Sequence, residues 1–148
     1  MSRNKTLFSL GLLLAFYPAV PILAQDKPPS GSPAEHVYAT AGGVQLKAYV
    51  FSPSPEKAGA PHAAIVIFHG GGWNMGEPSW GFGLAQHFAE HGMVAIAAQY
   101  RLSDQKTTTP LDAMADARAA IRWIRTNATS LGVDPNRIAA YGWSAGGH

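Results

Sequence analysis

Two hydrophobic patterns alternate along the chain. Short apolar or alternating runs are typical of β-strands, and apolar residues recurring every three or four positions are typical of helices. The predicted strands are His36–Thr40, Val44–Phe51, Ala63–Phe68, Met93–Ala98 and Arg137–Tyr141. The predicted helices are Gly83–His91 and a long helix from Pro110 to about Ser130. Strands that alternate with helices predict an α/β fold, with a mainly parallel sheet and helices on both of its faces.

Turn-forming residues mark several connections between these elements. Ala41-Gly42-Gly43 separates the first two strands and predicts a hairpin. The stretch Ser52–Pro61 carries three prolines and is predicted to be a loop. Asp134-Pro135-Asn136 predicts a turn before the last strand.

The N-terminal residues have the layout of a secretory signal peptide. A short basic stretch precedes an apolar run from Leu7 to Val20, and Ala24 supplies a small residue for cleavage. The apolar run is short for a transmembrane helix, so an uncleaved anchor is the less favoured alternative. We therefore predict a signal peptide over 1–24, a flexible linker over 25–35, a folded part over 36–148, and a periplasmic or secreted protein.

Charge and cysteine content exclude several classes of partner. The sequence has 11 Lys+Arg and 9 Asp+Glu, and removal of Arg3 and Lys5 with the signal leaves equal numbers of each sign. No cluster of basic residues remains to bind nucleic acid or an anionic membrane. The absence of cysteine excludes disulfides, zinc–thiolate sites and iron–sulfur clusters. We expect no cofactor and no metal.

A G-x-S-x-G pattern centred on Ser144 follows the last predicted strand. Its glycines, Gly142 and Gly146, allow a strand to turn into a helix within a few residues, so that the serine is exposed at the tip. A second glycine-rich stretch, His69–Trp73, follows the strand Ala63–Phe68. Glycines let backbone N–H groups approach the oxyanion of an acyl-transfer reaction. A nucleotide-binding loop is the alternative, but neither G-x-G-x-x-G nor G-K-[ST] is present.

With these two motifs, the chain resembles the N-terminal half of an α/β-hydrolase. The likeness is to the esterase/lipase branch that carries an HGGGW loop and includes acetyl-xylan and feruloyl esterases. Tyr100-Arg101-Leu102 and Gly132–Ile138 add to the resemblance, although Gln99 stands where relatives commonly have Asp. The resemblance implies that Ser144 is the nucleophile. It implies an oxyanion hole formed by the N–H groups of Gly71, Gly72 and Ala145.

The same resemblance predicts a carboxylic ester hydrolase that forms an acyl-enzyme, with short acyl esters such as acetyl or feruloyl groups on carbohydrate as substrates. The triad acid and histidine are expected after Ser144 in the chain order of this fold. We therefore expect a fold truncated after the serine turn, inactive and unstable alone, and unlabelled by a fluorophosphonate. One alternative is a serine peptidase similar to prolyl oligopeptidase, which the HGGGW loop disfavours. Another is an inactive fragment or binding remnant. The oligomeric state is not predicted.

Several other residues carry competing interpretations. His69 is a candidate catalytic base, but it precedes the serine, and by resemblance it braces its loop. His148 is a candidate triad base, but it lies one helical turn after Ser144, and we expect it on a helix surface. His87 and His91 match the zinc-protease pattern H-x-x-E-H, but a short amphipathic helix explains them better. Trp73 and Trp143 are candidates either for an acyl pocket or for packing.

Two carboxylates on the long predicted helix are interpreted as structural. Asp112 and Asp116 lie four residues apart, and we expect them to form solvated charge pairs with Arg118 and Arg122.

Overall fold

The computed structural model describes residues 31–148 except 55–58, 60 and 105. The strands are β1 (Ala34–Ala41), β2 (Val44–Phe51), β3 (His62–Phe68), β4 (Val94–Ala98) and β5 (Val133–Gly142). The α-helices are α1 (Phe82–Glu90), α2 (Pro110–Thr126) and α3 (Ala128–Leu131), and short 3₁₀ helices cover Pro78–Gly81 and Ser144–Gly147. The predicted signal peptide and residues 25–30 of the predicted linker lie outside the described residues. β1 begins two residues earlier than predicted.

The five strands form one sheet in the order β1-β2-β4-β3-β5. β2 is antiparallel to both β1 and β4, whereas β3 is parallel to β4 and β5. Four of the five strands therefore run in the same direction, which confirms the predicted mainly parallel sheet. The predicted hairpin joins β1 to β2 through Gly42 and Gly43, whose φ angles of 57° and 78° suit glycine.

Helices cover both faces of the sheet, as the sequence predicts. Along β3, the side chains of Ala64, Val66 and Phe68 belong to the apolar cluster that α2 covers. The alternate residues Ile65 and Ile67 belong to a second cluster, which α1 covers. Successive side chains of β3 point to opposite faces of the sheet, so they pack in the two separate apolar clusters.

The helices agree with the sequence in position but not in every boundary. α2 begins at Pro110 with a capping box formed by Thr109 and Asp112, which satisfies backbone groups of its first turn. It ends at Thr126, so the single helix predicted to about Ser130 is interrupted at Asn127 and followed by α3. No helix among the described residues is long and apolar enough to cross a membrane.

The turn predicted at Asp134-Pro135-Asn136 lies within the span of β5. His62 pairs with Val133, and Ala64 pairs with Ile138, so residues 134–137 form an irregularity opposite a single residue of β3. The Asn136 N–H donates to Asp134 Oδ1 over 2.9 Å, which closes a local turn. The predicted turn is confirmed by this local hydrogen bond, but the predicted start of the strand is wrong. β5 begins before the turn, at Val133, and its pairing with β3 resumes after the turn, at Ile138.

Candidate active site

Ser144 lies at the sharp turn between β5 and the 3₁₀ helix that it begins. Trp143 before it is extended, and Ser144 itself has a φ of 51°, in the left-handed region. That conformation costs an L-residue with a side chain about 1–2 kcal/mol. Ser144 is also exposed. The turn is therefore strained and presents the hydroxyl to solvent, which is the geometry predicted from G-x-S-x-G.

The two glycines of the motif are needed because the backbone on either side of Ser144 folds back on itself. A Cβ added to Gly142 would overlap the carbonyl oxygen of Gly146. A Cβ added to Gly146 would overlap the carbonyl oxygen of Phe68, at the end of β3. Both obstacles are backbone atoms, so neither can move aside as a flexible side chain could.

The loop that follows β3 turns through consecutive residues with positive φ. The φ angles are 124° at Gly71, 59° at Gly72 and 63° at Trp73. The N–H groups of Asn74 and Met75 donate to Gly71 O at 3.2 and 3.1 Å and close the turn. We call residues His69–Gly76 the glycine loop.

The glycine loop and the serine turn are in direct contact. A Cβ added to Gly70 would lie 2.8 Å from Trp143 Cδ1 and 3.0 Å from Trp143 O. Ala145, directly after Ser144, is buried, and its N–H lies in the first turn of the 3₁₀ helix. First-turn N–H groups have no acceptor within their own helix. The structure therefore brings the chain segments that carry Gly71, Gly72 and Ala145 together beside Ser144.

His69 is a buried brace of the glycine loop, as the resemblance implies. Its side chain is 2% exposed, and its Nδ1 lies 2.7 Å from Gly70 O. Because a carbonyl oxygen only accepts, Nδ1 carries the hydrogen in this bond. Burial lowers the pKa of His69, although the hydrogen bond to Gly70 opposes the shift. The ring is therefore neutral near pH 7.

Tyr100, two residues after the end of β4, contacts the first residue of the glycine loop in two ways. Its hydroxyl donates to His69 O over 2.7 Å. Its ring also stacks on the His69 imidazole, with centroids 4.4 Å apart and planes inclined by 18°. Burial raises the pKa of Tyr100, so the phenol keeps its proton. Sequence reasoning used Tyr100 only as part of a family motif and assigned it no contact.

The predicted charge pairs of α2 are wrong in their partners. Asp116 is buried and accepts three hydrogen bonds from Arg101, at 2.9 Å from N, 2.8 Å from Nε and 2.8 Å from Nη2. Asp112 lies 3.3 Å from the same guanidinium, and the N–H and hydroxyl of Thr109 lower the pKa of Asp112. Arg118 and Arg122 are exposed. Helical spacing cannot identify Arg101 as the partner of Asp116, because Arg101 lies outside α2, in the segment that follows β4.

His87, in the last turn of α1, and His91, directly after the helix, are both exposed. Their ring centroids are 4.3 Å apart, and His91 Nδ1 lies 2.8 Å from His87 O. Across the residues that the structure describes, no group of three or more His, Cys, Asp or Glu side chains is placed to hold a metal ion.

The two tryptophans have different surroundings. Trp143 packs against Gly70 and near Gly81, on the face of the sheet that α1 covers. Trp73 lines a small apolar cavity next to Ala145, and its ring lies 5.4 Å from that of the exposed His148. The cavity is also lined by Phe68, Tyr100, Ala113, Met114, Ala117, Gly146 and His148.

Sequence comparisons identify esterases among the relatives of this chain. Residues 51–148 match the profile of the BD-FAE family. The chain is 38% identical over 86 residues to carboxylesterase NlhH of Mycobacterium tuberculosis, covering 57% of this chain and 26% of that protein. It is 34% identical over 108 residues to esterase LipI of the same organism, covering 72% of this chain and 32% of that protein. The chain thus spans about a third or less of these relatives.

Structural comparison leads to the same class of protein. An esterase from Thermogutta terrifontis, Est2, matches with a TM-score of 0.74 and 42% identity, over 80% of this chain and 42% of that one. Its butyrate-bound form matches with a TM-score of 0.73 and 42% identity, over 80% and 43% of the two chains. The form phosphorylated by paraoxon matches with a TM-score of 0.73 and 41% identity, over 80% and 46%.

Proposed function

The chain belongs to the BD-FAE family of α/β-hydrolase esterases, and from this premise we propose that the protein hydrolyses carboxylic esters with Ser144 as its nucleophile. The observation that carries the proposal is the φ of 51° at an exposed serine, held between two glycines that no larger residue can replace. Strain of this kind is concentrated at functional sites and persists only where the surroundings impose it. Here the surroundings are the end of β3 and the glycine loop.

In the proposed reaction, Ser144 Oγ attacks the ester carbonyl carbon as a base accepts the hydroxyl proton. The carbonyl oxygen becomes an oxyanion, which the N–H groups of Gly71, Gly72 and Ala145 stabilise. The tetrahedral intermediate then collapses, the alcohol leaves with a proton, and a water molecule hydrolyses the acyl-enzyme by the same steps. Removal of one oxyanion donor from such a site lowers kcat about 10²–10³-fold. The resemblance places the base and its acid partner after Ser144.

We propose short acyl esters as the substrates, with carbohydrate acetyl or feruloyl esters as the natural class. Solved structures of Thermogutta terrifontis Est2 contain propionate and butyrate, which supports a site for short acyl groups.

Ester hydrolysis by the protein expressed from its complete reading frame tests the proposal. p-Nitrophenyl acetate and butyrate report acyl preference, acetylated xylan and methyl ferulate report the natural class, and a prolyl p-nitroanilide reports peptidase activity. Ser144→Ala is expected to abolish ester turnover. Ser130→Ala, which removes an exposed serine hydroxyl from α3, is expected to leave it unchanged. Turnover of the anilide alone, or turnover that survives Ser144→Ala, would contradict the proposal.

We also propose that the protein is exported and that residues 1–24 are removed. The support is the basic, apolar and small-residue order of Met1–Ala24. N-terminal sequencing of the protein recovered from the periplasm or the medium is expected to begin at Gln25. Recovery of the uncleaved chain in the cytoplasm would contradict this.

A further inference from the structure

We infer that Tyr100 is a positioning residue for the oxyanion hole, and that the Arg101–Asp116 ion pair holds it in place. The inference rests on the proposed function, because it concerns how the amides of Gly71 and Gly72 are aimed. It adds a second chain segment, residues Tyr100–Ser103, to the machinery of the site.

The Tyr100–Ser103 segment holds the glycine loop at two points. At the first point the Tyr100 hydroxyl donates to His69 O, and the two rings stack. At the second point the N–H of Ser103 donates to Trp73 O over 2.6 Å. The three glycines that follow His69 lie between these two carbonyls. One four-residue segment therefore fixes both ends of the stretch that carries the oxyanion donors.

The segment is itself fixed to α2. The Arg101 backbone N–H and two of its guanidinium nitrogens all donate to the buried carboxylate of Asp116. A bidentate pair with an added backbone bond sets the position and the direction of the chain at Arg101, and not merely its distance from α2. Tyr100, one residue earlier, is positioned as a consequence.

The glycine loop needs such external support because glycine restricts its own backbone least. Gly71 and Gly72 have positive φ angles and no side chains with which to pack. An oxyanion donor is effective only when it lies about 2.7–3.1 Å from the developing charge. A misplacement of about 1 Å can cost about a hundredfold in rate. Contacts that fix the loop therefore act on the transition state, where the oxyanion develops.

The chain offers a matched control for Tyr100. Tyr38 is also buried, and its hydroxyl also donates to a backbone carbonyl, that of Gln99. Gln99 is held to β2 by its own N–H, which donates to Lys47 O over 2.8 Å, and it lies outside the glycine loop. Tyr100→Phe and Tyr38→Phe therefore each remove one buried hydroxyl, but only the first removes a contact to the loop.

Two measurements on these variants of the full chain, expressed from its complete reading frame, test the inference. Hydrogen–deuterium exchange of peptides covering residues 69–76 is expected to quicken about fivefold in Tyr100→Phe, from loss of one net hydrogen bond, and to change much less in Tyr38→Phe. For p-nitrophenyl acetate, kcat is expected to fall about tenfold in Tyr100→Phe with little change in KM, because only the transition state uses the oxyanion donors. Arg101→Lys, which keeps the charge but loses the bidentate geometry, is expected to show the same pattern and replaces Tyr100→Phe if that variant does not fold.

Equal exchange in the two tyrosine variants, or an equal kcat, would overturn the inference. A loss confined to KM or to thermal stability would also overturn it, because a merely structural residue gives that result. If the exchange effect is present but the wild-type protein has no Ser144-dependent esterase activity, the proposed function fails while the support of the loop by Tyr100 stands.

Discussion

Ser144 has a backbone conformation that glycine adopts freely and other residues adopt at a cost, and this strain can be measured. Its φ is 51°. Ser144→Ala removes the hydroxyl but keeps a Cβ, so it keeps the cost of about 1–2 kcal/mol. Ser144→Gly removes both. The ordinary disadvantage of glycine relative to alanine, about 0.5–1 kcal/mol, acts in the opposite direction. We therefore expect the glycine variant to be more stable than the alanine variant by about 0.5–1 kcal/mol.

Ser130 provides a control of opposite sign. It is exposed in α3, in ordinary helical backbone, so Ser130→Gly is expected to be less stable than Ser130→Ala by about 0.5–1 kcal/mol. Urea unfolding of protein expressed from its complete reading frame, followed by far-ultraviolet circular dichroism, gives the free energy of unfolding for all four variants. If Ser144→Gly is no more stable than Ser144→Ala while the Ser130 pair behaves as expected, the serine turn is not strained, and its backbone conformation does not mark Ser144 as a functional residue.

Three further predictions concern residues around the site. Asp116→Ala removes the three hydrogen bonds that the partly buried Arg101 donates to its carboxylate and is expected to cost about 1.5–3 kcal/mol of unfolding free energy, whereas Asp112→Ala loses mainly a capping box and is expected to cost less; similar costs in urea unfolding would contradict this. Gly146→Ala is expected to give insoluble or unfolded protein on expression, whereas Gly83→Ala, where a Cβ meets open space on α1, is expected to stabilise by about 0.5–1 kcal/mol. Folding lowers the pKa of His69 from its ordinary value of 6.5. As the pH drops below 6.5, the imidazole therefore gains a proton more readily in the unfolded chain than in the folded one, and the free energy of unfolding is expected to fall. His69→Asn is expected to flatten this dependence between pH 7 and 5, and an unchanged slope would contradict it.

Local patterns predict most of the sheet and the position of the serine turn. The buried runs that became β3 and β4 and the alternation within β2 lie where the apolar pattern places them, because burial on one or both faces of a sheet leaves a direct record in the sequence. The role of Gly142 is equally local, since the obstacle there is the backbone of Gly146, four residues away. The obstacle at Gly146 is the backbone of Phe68 at the end of β3, which no local pattern shows.

Local patterns do not reveal contacts between segments that are distant in the sequence. The partner of Asp116 is Arg101, fifteen positions earlier and in a different element, so the helical spacing to Arg118 and Arg122 gave the wrong pairs. The contact of Tyr100 with His69 spans 31 positions and depends on the neighbouring positions of β3 and β4 in the sheet. The residues around Asp134 predict a turn, and only the pairing of Val133 and Ile138 on either side with β3 shows that they lie within the span of a strand.

The most direct test of the proposed nucleophile is the site of reaction with an organophosphate. The solved structure of Thermogutta terrifontis Est2 phosphorylated by paraoxon shows that a relative of this chain reacts with such a compound. Protein expressed from its complete reading frame is treated with paraoxon, digested and analysed by tandem mass spectrometry. We predict one adduct per chain, located on Ser144 and absent from Ser144→Ala. An adduct on another residue, or none on a folded protein, would contradict the assignment of Ser144 as the nucleophile.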